Sequence, residues 1–491
     1  MVTQKMCPLA YPNLYKWHGC IPSDADFINI PGFLIDRLSE RHVGMFSLVI
    51  IHKNQQREVA IMVDHILAQC DYCKTKILLR FQMGFFDIPF DICCPECGVH
   101  IHGLRKIVNE QSATVNNASA IECELDNVDY YADFSVELPH AKTRQYKSLE
   151  SLNETGFSPF MMFSGLYGDT YLDLVEHMKR FLSFRDSCWP KLTPLFDLFF
   201  NGKIRLTEEH FLKLSPRFIV KNELDALMAL HQTMVLGMNS ILADGTLEKF
   251  VDISEQIVTS SNLSKLDELN TALGGEAHFN SLEKRLVKIY DRWMANSEKY
   301  IPATMLSIGK ATDKFDKEKF GIATTSFEDM KAFYSDSYEL ILDFLGVAVG
   351  LNNIVVRGNC NAFPANTIRV NRQTTCVGSF SDYHETVKSS RLGLLAEDEP
   401  FSKAIPLNRH VSNAIAHFDY EFDAGTQKIM FHDKHKNKDN SVELYLVDLA
   451  ILCYENMTIL VYLDELLYNL RKIYYIKAGM SPHIKAPSVG R

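Results

Sequence analysis

A chain of 491 residues is too long to fold around one hydrophobic core, so several domains are expected. Hydrophobic residues make up 46% and charged residues 23%, which is typical of a globular protein and excludes a disordered or fibrous one. The net charge of −10 excludes a uniformly basic nucleic-acid-binding surface, so any nucleic acid must be met by a local basic patch.

The ends and the cysteine usage predict a cytoplasmic protein with no membrane segment. The N-terminus lacks a basic start followed by an apolar run, and no apolar stretch reaches the roughly 20 residues that span a bilayer. The twelve cysteines are scattered except for one cluster. That distribution indicates a metal site in a reducing compartment and argues against a disulfide framework.

Residues 1–150 are predicted to form a β-rich domain. Met45–Ile51 is a β-branched run, and Glu58–Val63 is its expected hairpin partner. Two Cys-x-x-Cys pairs follow, with twenty residues between them, and this spacing predicts one tetrahedral zinc site. Two residues between thiolates allow a tight turn to direct both sulfurs at one ion. The predicted ligands are Cys70, Cys73, Cys94 and Cys97.

The segment around these cysteines, about residues 66–104, resembles a zinc ribbon. Between the two pairs, Lys76–Phe81 and Phe85–Ile92 are expected to form a hairpin. Gly98, directly after the last cysteine, suits the positive φ that such a turn often requires. Four thiolates leave no open coordination position, so the Zn²⁺ is predicted to be structural.

Three further residues leave the ligand set open. Cys93, His100 or His102 can replace one thiolate, or all three can lie beside the site as bystanders. Zinc ribbons also bind nucleic acids or other proteins, so a recognition role for the module remains an alternative to a purely structural one.

The rest of the first domain contains few apolar runs. Ser112–Ala120 is small and polar, which predicts a loop, and Ile121–Leu138 is rich in carboxylates. This acidic band predicts either exposed strand surface or a contact for a basic protein partner. Pro139–Thr155 is predicted to be the linker out of the domain.

Residues 151–325 are predicted to be a helical scaffold or a sensor region. Apolar residues recur there at helical spacing, with Trp189-Pro190 and Gly274-Gly275 as expected helix ends. Neither a phosphate-binding glycine-rich loop nor a nucleophile elbow is present in the sequence. The predicted helices cover Tyr171–Phe184, Asn222–Leu242, Leu263–Leu273 and Ser281–Ser297.

Residues 326–491 are predicted to form a helical bundle, which makes the whole chain α+β. A short helix within Leu407–Tyr420 is expected to start near Pro406, and a hairpin that turns at Asp423-Ala424-Gly425 follows it. The basic run His432–Lys438 is predicted to be a solvated loop, with a phosphate-binding loop as the alternative. The other predicted helices cover Ser326–Asn353, Ser381–Leu395 and Val442–Lys477.

The short helix separates its residues into two faces at about 100° per residue. An apolar face is predicted to be buried, and it contains Leu407, Val411, Ala414, Ile415 and Phe418. The neighbouring polar face contains Arg409, His410, Asn413 and His417. Imidazoles exchange protons near neutral pH and a guanidinium stabilises a phosphorane's negative charge, so this face has the groups needed for metal-free RNA cleavage.

Part of this helix resembles the Arg-Asn-x-x-x-His motif of HEPN-domain proteins, many of which are ribonucleases of toxin and antiviral systems. Asn413 and His417 match the Asn and His of the motif, whereas Ser412 stands at the position of the family's Arg. Arg409 and His410 lie close by on the same face and are candidates to replace it. The order of helices in residues 326–491 also agrees with a HEPN bundle.

The resemblance implies a metal-independent endoribonuclease that acts as a toxin or an antiviral abortive-infection effector. RNA would be the substrate, and two chains would pair through their C-terminal helices. His417 or His410 would deprotonate the ribose 2′-hydroxyl, Arg409 would stabilise the pentavalent phosphorus, and Asn413 would orient the imidazole. The alternative is a non-catalytic binding or sensor protein with a degenerate HEPN domain, for which Ser412 is the main argument.

Overall fold

The structure is a computed structural model, and it describes residues 63–483 except for 83, 108–111, 123–126, 148–165, 216–217, 261–262, 315, 365–366, 371–372, 396–400, 402–404 and 436–437. The hairpin predicted for Met45–Ile51 and Glu58–Val63 lies outside the described residues, apart from its last residue. The described chain is α+β, with a β-rich part followed by a mainly helical part.

The β-rich part contains two sheets. The first has strand order β6-β1-β2-β7-β9, and the second has strand order β3-β4-β5. The strands are β1 Val63–Cys70, β2 Lys76–Gln82, β3 Ile88–Cys93, β4 His100–Lys106, β5 Ser112–Asn116, β6 Ala118–Ala120, β7 Tyr130–Phe134, β8 His140–Ala141 and β9 Arg144–Gln145.

The hairpin predicted between the cysteine pairs is wrong, although both of its strands exist. Strand β2 pairs antiparallel with β1 and parallel with β7, whereas β3 pairs with β4 in the other sheet. Each hairpin, β1–β2 and β3–β4, therefore carries one cysteine pair at its turn. Buried aromatic rings join the two sheets, because Phe90 of β3 lies 5.3 Å from both Phe81 of β2 and Phe134 of β7, measured between ring centroids.

Of two further expectations for this part, the loop predicted for Ser112–Ala120 is wrong, and the exposed acidic band is confirmed only in part, for Glu122 and Asp129. Ser112–Ala120 forms strands β5 and β6, since Thr and Val in the run support pairing with β4. The acidic band is not an exposed surface throughout: Asp133 is buried on β7 and contacts Arg80 at 3.3 Å. The Glu137 carboxylate accepts a hydrogen bond from the Phe85 backbone N–H. These carboxylates are used inside the protein, where a partner cannot reach them.

Twelve α-helices follow in the described part of the chain. They are α1 Tyr171–Ser183, α2 Trp189–Phe200, α3 Ile204–Leu214, α4 Glu223–Met238, α5 Thr246–Ser260, α6 Leu263–Ala272, α7 Gly275–Ala295, α8 Ile301–Ile308, α9 Phe327–Arg357, α10 Phe380–Glu385, α11 Arg409–Ala416 and α12 Leu446–Lys477. The remaining strands are β10 Phe320–Gly321, β11 Thr367–Val370, β12 Gln373–Cys376, β13 Tyr420–Asp423, β14 Lys428–Phe431, β15 Lys434–His435, β16 Lys438–Asp439 and β17 Val442–Tyr445.

Side-chain caps explain where several helices begin. Asn222 starts α4 with a capping box, in which its side chain accepts from the Asp225 N–H. The Ser326 side chain caps α9 by accepting from the Asp329 N–H. Trp189-Pro190 begins α2 and does not end a helix, because proline is tolerated in a first turn. Pro406, by contrast, is not in the first turn predicted for it, since Asn408 caps α11. The predicted long C-terminal helix begins at Leu446, and Val442–Tyr445 is a strand.

Helices α9 and α12 form the centre of the helical part and pack against each other. Both are long and apolar enough to span a bilayer, yet 78% and 72% of their most apolar windows are buried inside the protein, as in the core helices of a globular domain.

Helix α12 also buries charge. Asp464 and Glu465 flank the His231 imidazole, at 3.4 Å and 2.7 Å, and the imidazole stacks on the Tyr468 ring.

The β-rich part is joined to the helical part by backbone pairing. Strand β8 pairs with β10, so the segment predicted to be a linker is in part a strand. The Asp91 backbone N–H donates to the Ala323 carbonyl just before α9. The Lys142 ammonium donates to the carbonyls of Lys317 and Thr426, the second of which lies in the β13–β14 turn.

Candidate metal centre and candidate active site

The two Cys-x-x-Cys pairs come together, as their spacing predicts. One potential ligand atom from each of Cys70, Cys73, Cys94 and Cys97 lies within 4.8 Å of all the others, a geometry compatible with a structural metal site. The turn at each pair is built alike. The Lys74 N–H donates to the Cys70 carbonyl, and the Gly98 N–H donates to the Cys94 carbonyl.

A left-handed residue closes each of these turns. Gly98 has φ = +74°, which confirms the role predicted for it, and Lys74 has φ = +66°. Gly98 therefore has a conformational reason to be glycine, whereas the side chain at Lys74 is tolerated in the less favourable conformation. No residue type indicates the left-handed conformation in the Cys70–Cys73 turn, since lysine has no preference for positive φ.

The distances between the sulfur atoms fit a tetrahedral ion. With metal–sulfur bonds of about 2.3 Å, the edge of a regular tetrahedron of sulfurs is about 3.8 Å. The Cys70 and Cys97 sulfurs are 3.7 Å apart, and the Cys73 and Cys94 sulfurs are 3.4 Å apart. The four thiols thus need little rearrangement to hold one metal ion, and no fifth position for a substrate is left in such a set.

The local environment gives the cysteines of the cluster different pKa values. A hydrogen bond with the Thr75 hydroxyl, 3.0 Å from the Cys73 sulfur, lowers the pKa of Cys73 to about 6. Burial raises the pKa of Cys94 to about 12. The motif spacing alone does not indicate that Thr75 lowers the pKa of a ligand, because Thr75 lies outside both Cys-x-x-Cys pairs.

The three residues left open as ligands lie outside the sulfur cluster. The Cys93 sulfur is 3.6 Å from His100 Nε2, and His100 Nδ1 is 2.9 Å from an Asp91 carboxylate oxygen. The register explains this chain of contacts, because Cys93 lies directly opposite His100 in the β3–β4 hairpin. His102 is exposed on β4. Asp91, Cys93 and His100 border a cavity of about 520 Å³ that also reaches the start of α9 and the β13–β14 turn.

Helix α11 carries the other candidate site, and its apolar face is largely as predicted. Val411, Ala414 and Ile415 are buried and Leu407 is half-buried. The prediction for Phe418 is wrong, since this side chain is 82% exposed. Helical periodicity placed it inward, but α11 ends at Ala416 and Phe418 adopts φ = +55°.

The four polar candidates occupy different positions on α11. Arg409 and His410 lie in the first turn, Asn413 is half-buried in the middle, and exposed His417 is the C-terminal cap. His410 Nδ1 is 2.6 Å from a carboxylate oxygen of Asp433, which follows strand β14. The sequence pattern does not indicate Asp433 as a partner of His410, because Asp433 lies 23 residues further along the chain, inside a run that is otherwise basic.

Helix α9 supports α11 from behind. The Tyr334 hydroxyl donates to the Asn408 carbonyl at the helix cap. Burial raises the pKa of Tyr338 to about 12, and the nearby Ser412 hydroxyl and Arg409 charge oppose that rise. Ser412 is half-buried and, like Arg409, lies near this phenol.

No known protein-family model, curated protein or solved structure matches this chain. Its function is therefore argued from its own residues.

Proposed function

We propose that this protein is a metal-independent endoribonuclease of HEPN type, acting as a toxin or an antiviral effector, with its catalytic residues on α11. The contact between His410 and Asp433 carries the proposal. A carboxylate on Nδ1 fixes the ring and its tautomer, which leaves Nε2 to exchange a proton with a substrate. A partly exposed imidazole with such a carboxylate partner, next to an exposed guanidinium, is more typical of a reactive site than of a packed surface.

The proposed reaction is transesterification. One imidazole, of His410 or His417, takes the proton of a ribose 2′-hydroxyl, and the 2′-oxygen attacks the adjacent phosphorus. The bond from phosphorus to the 5′-oxygen breaks, and the other imidazole, in its protonated form, donates to the leaving oxygen. The products are a 2′,3′-cyclic phosphate and a 5′-hydroxyl. The two histidines are seven positions apart in the sequence, so they share one side of the helix about 10 Å apart along its axis.

The other polar groups of the helix have supporting roles in this proposal. Arg409 stabilises the charge of the pentavalent phosphorus, as a preorganised cation does in a site of this kind. Asn413, one turn before His417, orients that imidazole. No step requires a metal ion.

We assign the four-cysteine site to Zn²⁺ with a structural role. Thiolate ligands and a tetrahedral edge near 3.8 Å are typical of structural zinc, and the set has no open position for a substrate. The ion would tie the turns of two hairpins that belong to different sheets, which a module with so small a core needs.

A specific observation also favours the alternative of a non-catalytic binding or sensor protein. Ser412 stands where the family has its arginine, and it is half-buried beside the Tyr338 phenol of α9, so it cannot supply the arginine's charge. In that case α11 would serve as a scaffold surface, and dimerisation through the C-terminal helices would survive the loss of every polar residue of α11.

Cleavage of end-labelled RNA in buffer without Mg²⁺ separates the two functions. We expect cleavage by the wild type and losses of about 10²–10⁴-fold in His417→Ala, His410→Ala and Arg409→Ala. His102→Ala is the matched control, because it removes an exposed histidine from the β-rich part. Toxicity on induction in cells is the second measurement. A wild type that neither cuts RNA nor harms cells, or variants that behave like it, would favour the binding protein.

A further inference from the structure

Four helices in the described part of the chain end in the same backbone turn. At the ends of α2, α8, α11 and α12, one N–H bonds back to the carbonyl three residues earlier, and the next N–H bonds to the carbonyl five residues earlier. This is the Schellman motif, whose first residue after the cap must adopt a left-handed conformation. The residues at that position are Gly202, Lys310, Phe418 and Gly479, with φ of +65°, +50°, +55° and +89°.

These four residues suit the position to different degrees. Gly202 and Gly479 have no Cβ and adopt positive φ without strain. Lys310 accepts the strain but keeps its charged end in water, where it is exposed. Phe418 accepts the same strain and also leaves a large aromatic ring 82% exposed. Neither folding nor solubility gains from a phenylalanine here, and backbone strain that packing does not explain is concentrated at functional sites.

Phe418 follows His417 directly and lies at the end of the helix that carries the proposed catalytic groups. The next residue, Asp419, accepts a backbone hydrogen bond from His432, the neighbour of the Asp433 that holds His410. The left-handed turn therefore places an exposed aromatic ring directly after the proposed catalytic residue His417. An aromatic face at this position can stack on any unpaired base, because every nucleobase has a π-face.

We propose that Phe418 is a stacking platform for a base of single-stranded RNA next to the cleaved phosphate. The inference rests on the proposed ribonuclease function and adds a substrate class to it: unpaired RNA, read with little sequence preference. Stacking would fix the nucleotide whose phosphate faces His417 and Arg409. Phe418 is a binding residue in this scheme and takes no part in proton transfer.

The test compares substitutions at the same kind of turn. RNA affinity is measured by fluorescence anisotropy with a labelled single-stranded oligonucleotide, in the His417→Ala background so that the RNA stays intact. Adding Phe418→Gly relieves the strain and removes the ring, so we expect a dissociation constant about 5- to 150-fold higher. Phe418→Trp keeps a ring and should keep the affinity. Lys310→Gly is the control, since it relieves the same strain at α8.

Thermal unfolding shows that the variants fold. Phe418→Gly and Lys310→Gly should both raise the unfolding midpoint, by about 1–2 °C, because glycine suits positive φ. Weaker RNA binding in a more stable protein would support the platform, since a structural role would produce the opposite correlation.

The remaining outcomes would overturn the inference in distinguishable ways. Wild-type cleavage together with unchanged RNA affinity in Phe418→Gly would remove the platform and leave the ribonuclease standing. A Phe418→Gly protein that becomes monomeric where its parent is dimeric, with affinity falling only in step, would make the ring a contact between two copies. Failure of the wild type to bind or cut RNA would end the ribonuclease proposal and this inference with it.

Discussion

Replacing one sulfur of the four-cysteine cluster, by Cys94→Ser, is expected to release the zinc ion. The apparent binding free energy of a structural zinc site is roughly 10–16 kcal/mol, so an equal share for each of four thiolates is about 2.5–4 kcal/mol. That share corresponds to about a 10²–10³-fold rise in the zinc dissociation constant. Cys93→Ser is a closely matched control, since it alters the adjacent residue, which lies outside the cluster.

Zinc content by mass spectrometry and competition with a fluorescent zinc indicator would measure the effect. The wild type and Cys93→Ser should hold one zinc per chain, and Cys94→Ser should lose it to the indicator. X-ray absorption of the zinc protein should give four sulfur neighbours near 2.3 Å. A nitrogen neighbour, or equal losses in the two variants, would refute the four-thiolate assignment and bring Cys93 or His100 into the ligand set.

Two further predictions concern ionisable pairs. In Asp433→Asn, kcat for RNA cleavage should fall about 10- to 100-fold while KM and the unfolding midpoint stay unchanged, because only the orientation of His410 is lost; a change confined to KM or stability would contradict this. Burial opposes the charged form of His231, but the neighbouring Glu465 and Asp464 carboxylates together outweigh it and raise the pKa of His231 to about 9. Its contribution to stability, about 3 kcal/mol, is therefore complete below pH 6.5 and lost as the pH rises through 9. Urea unfolding from pH 6 to 10 should show this loss in the wild type and not in His231→Gln, and parallel pH curves would disprove it.

Local signals predicted local structure well. Asn222 and Ser326 identify helix starts because a cap depends on residues within one turn. The cysteine cluster followed from spacing, since two residues between thiolates restrict the turn strongly. Most of the apolar face of α11 could also be predicted from periodicity, and its burial was confirmed for Val411, Ala414 and Ile415.

The errors concern partners distant in the sequence. Strands β2 and β3 look alike as apolar runs, and nothing in either says that β2 pairs in parallel with β7 across 50 residues. Asp433 could not be assigned to His410 for the same reason. The predicted burial of Phe418 was wrong for a different reason. Periodicity assumes that a helix continues, and no glycine marked the left-handed residue that ends this one.

The pairing of β8 with β10 restricts how this protein can evolve by exchange of parts. A genetic recombination at residue 150 would separate two strands that satisfy each other's backbone, and would also remove Lys142 from the carbonyls of Lys317 and Thr426. A new N-terminal module would have to supply a strand that pairs with β10 and a cation at the position of Lys142. The metal-binding part and the helical part are therefore expected to be inherited together, as a single unit of selection.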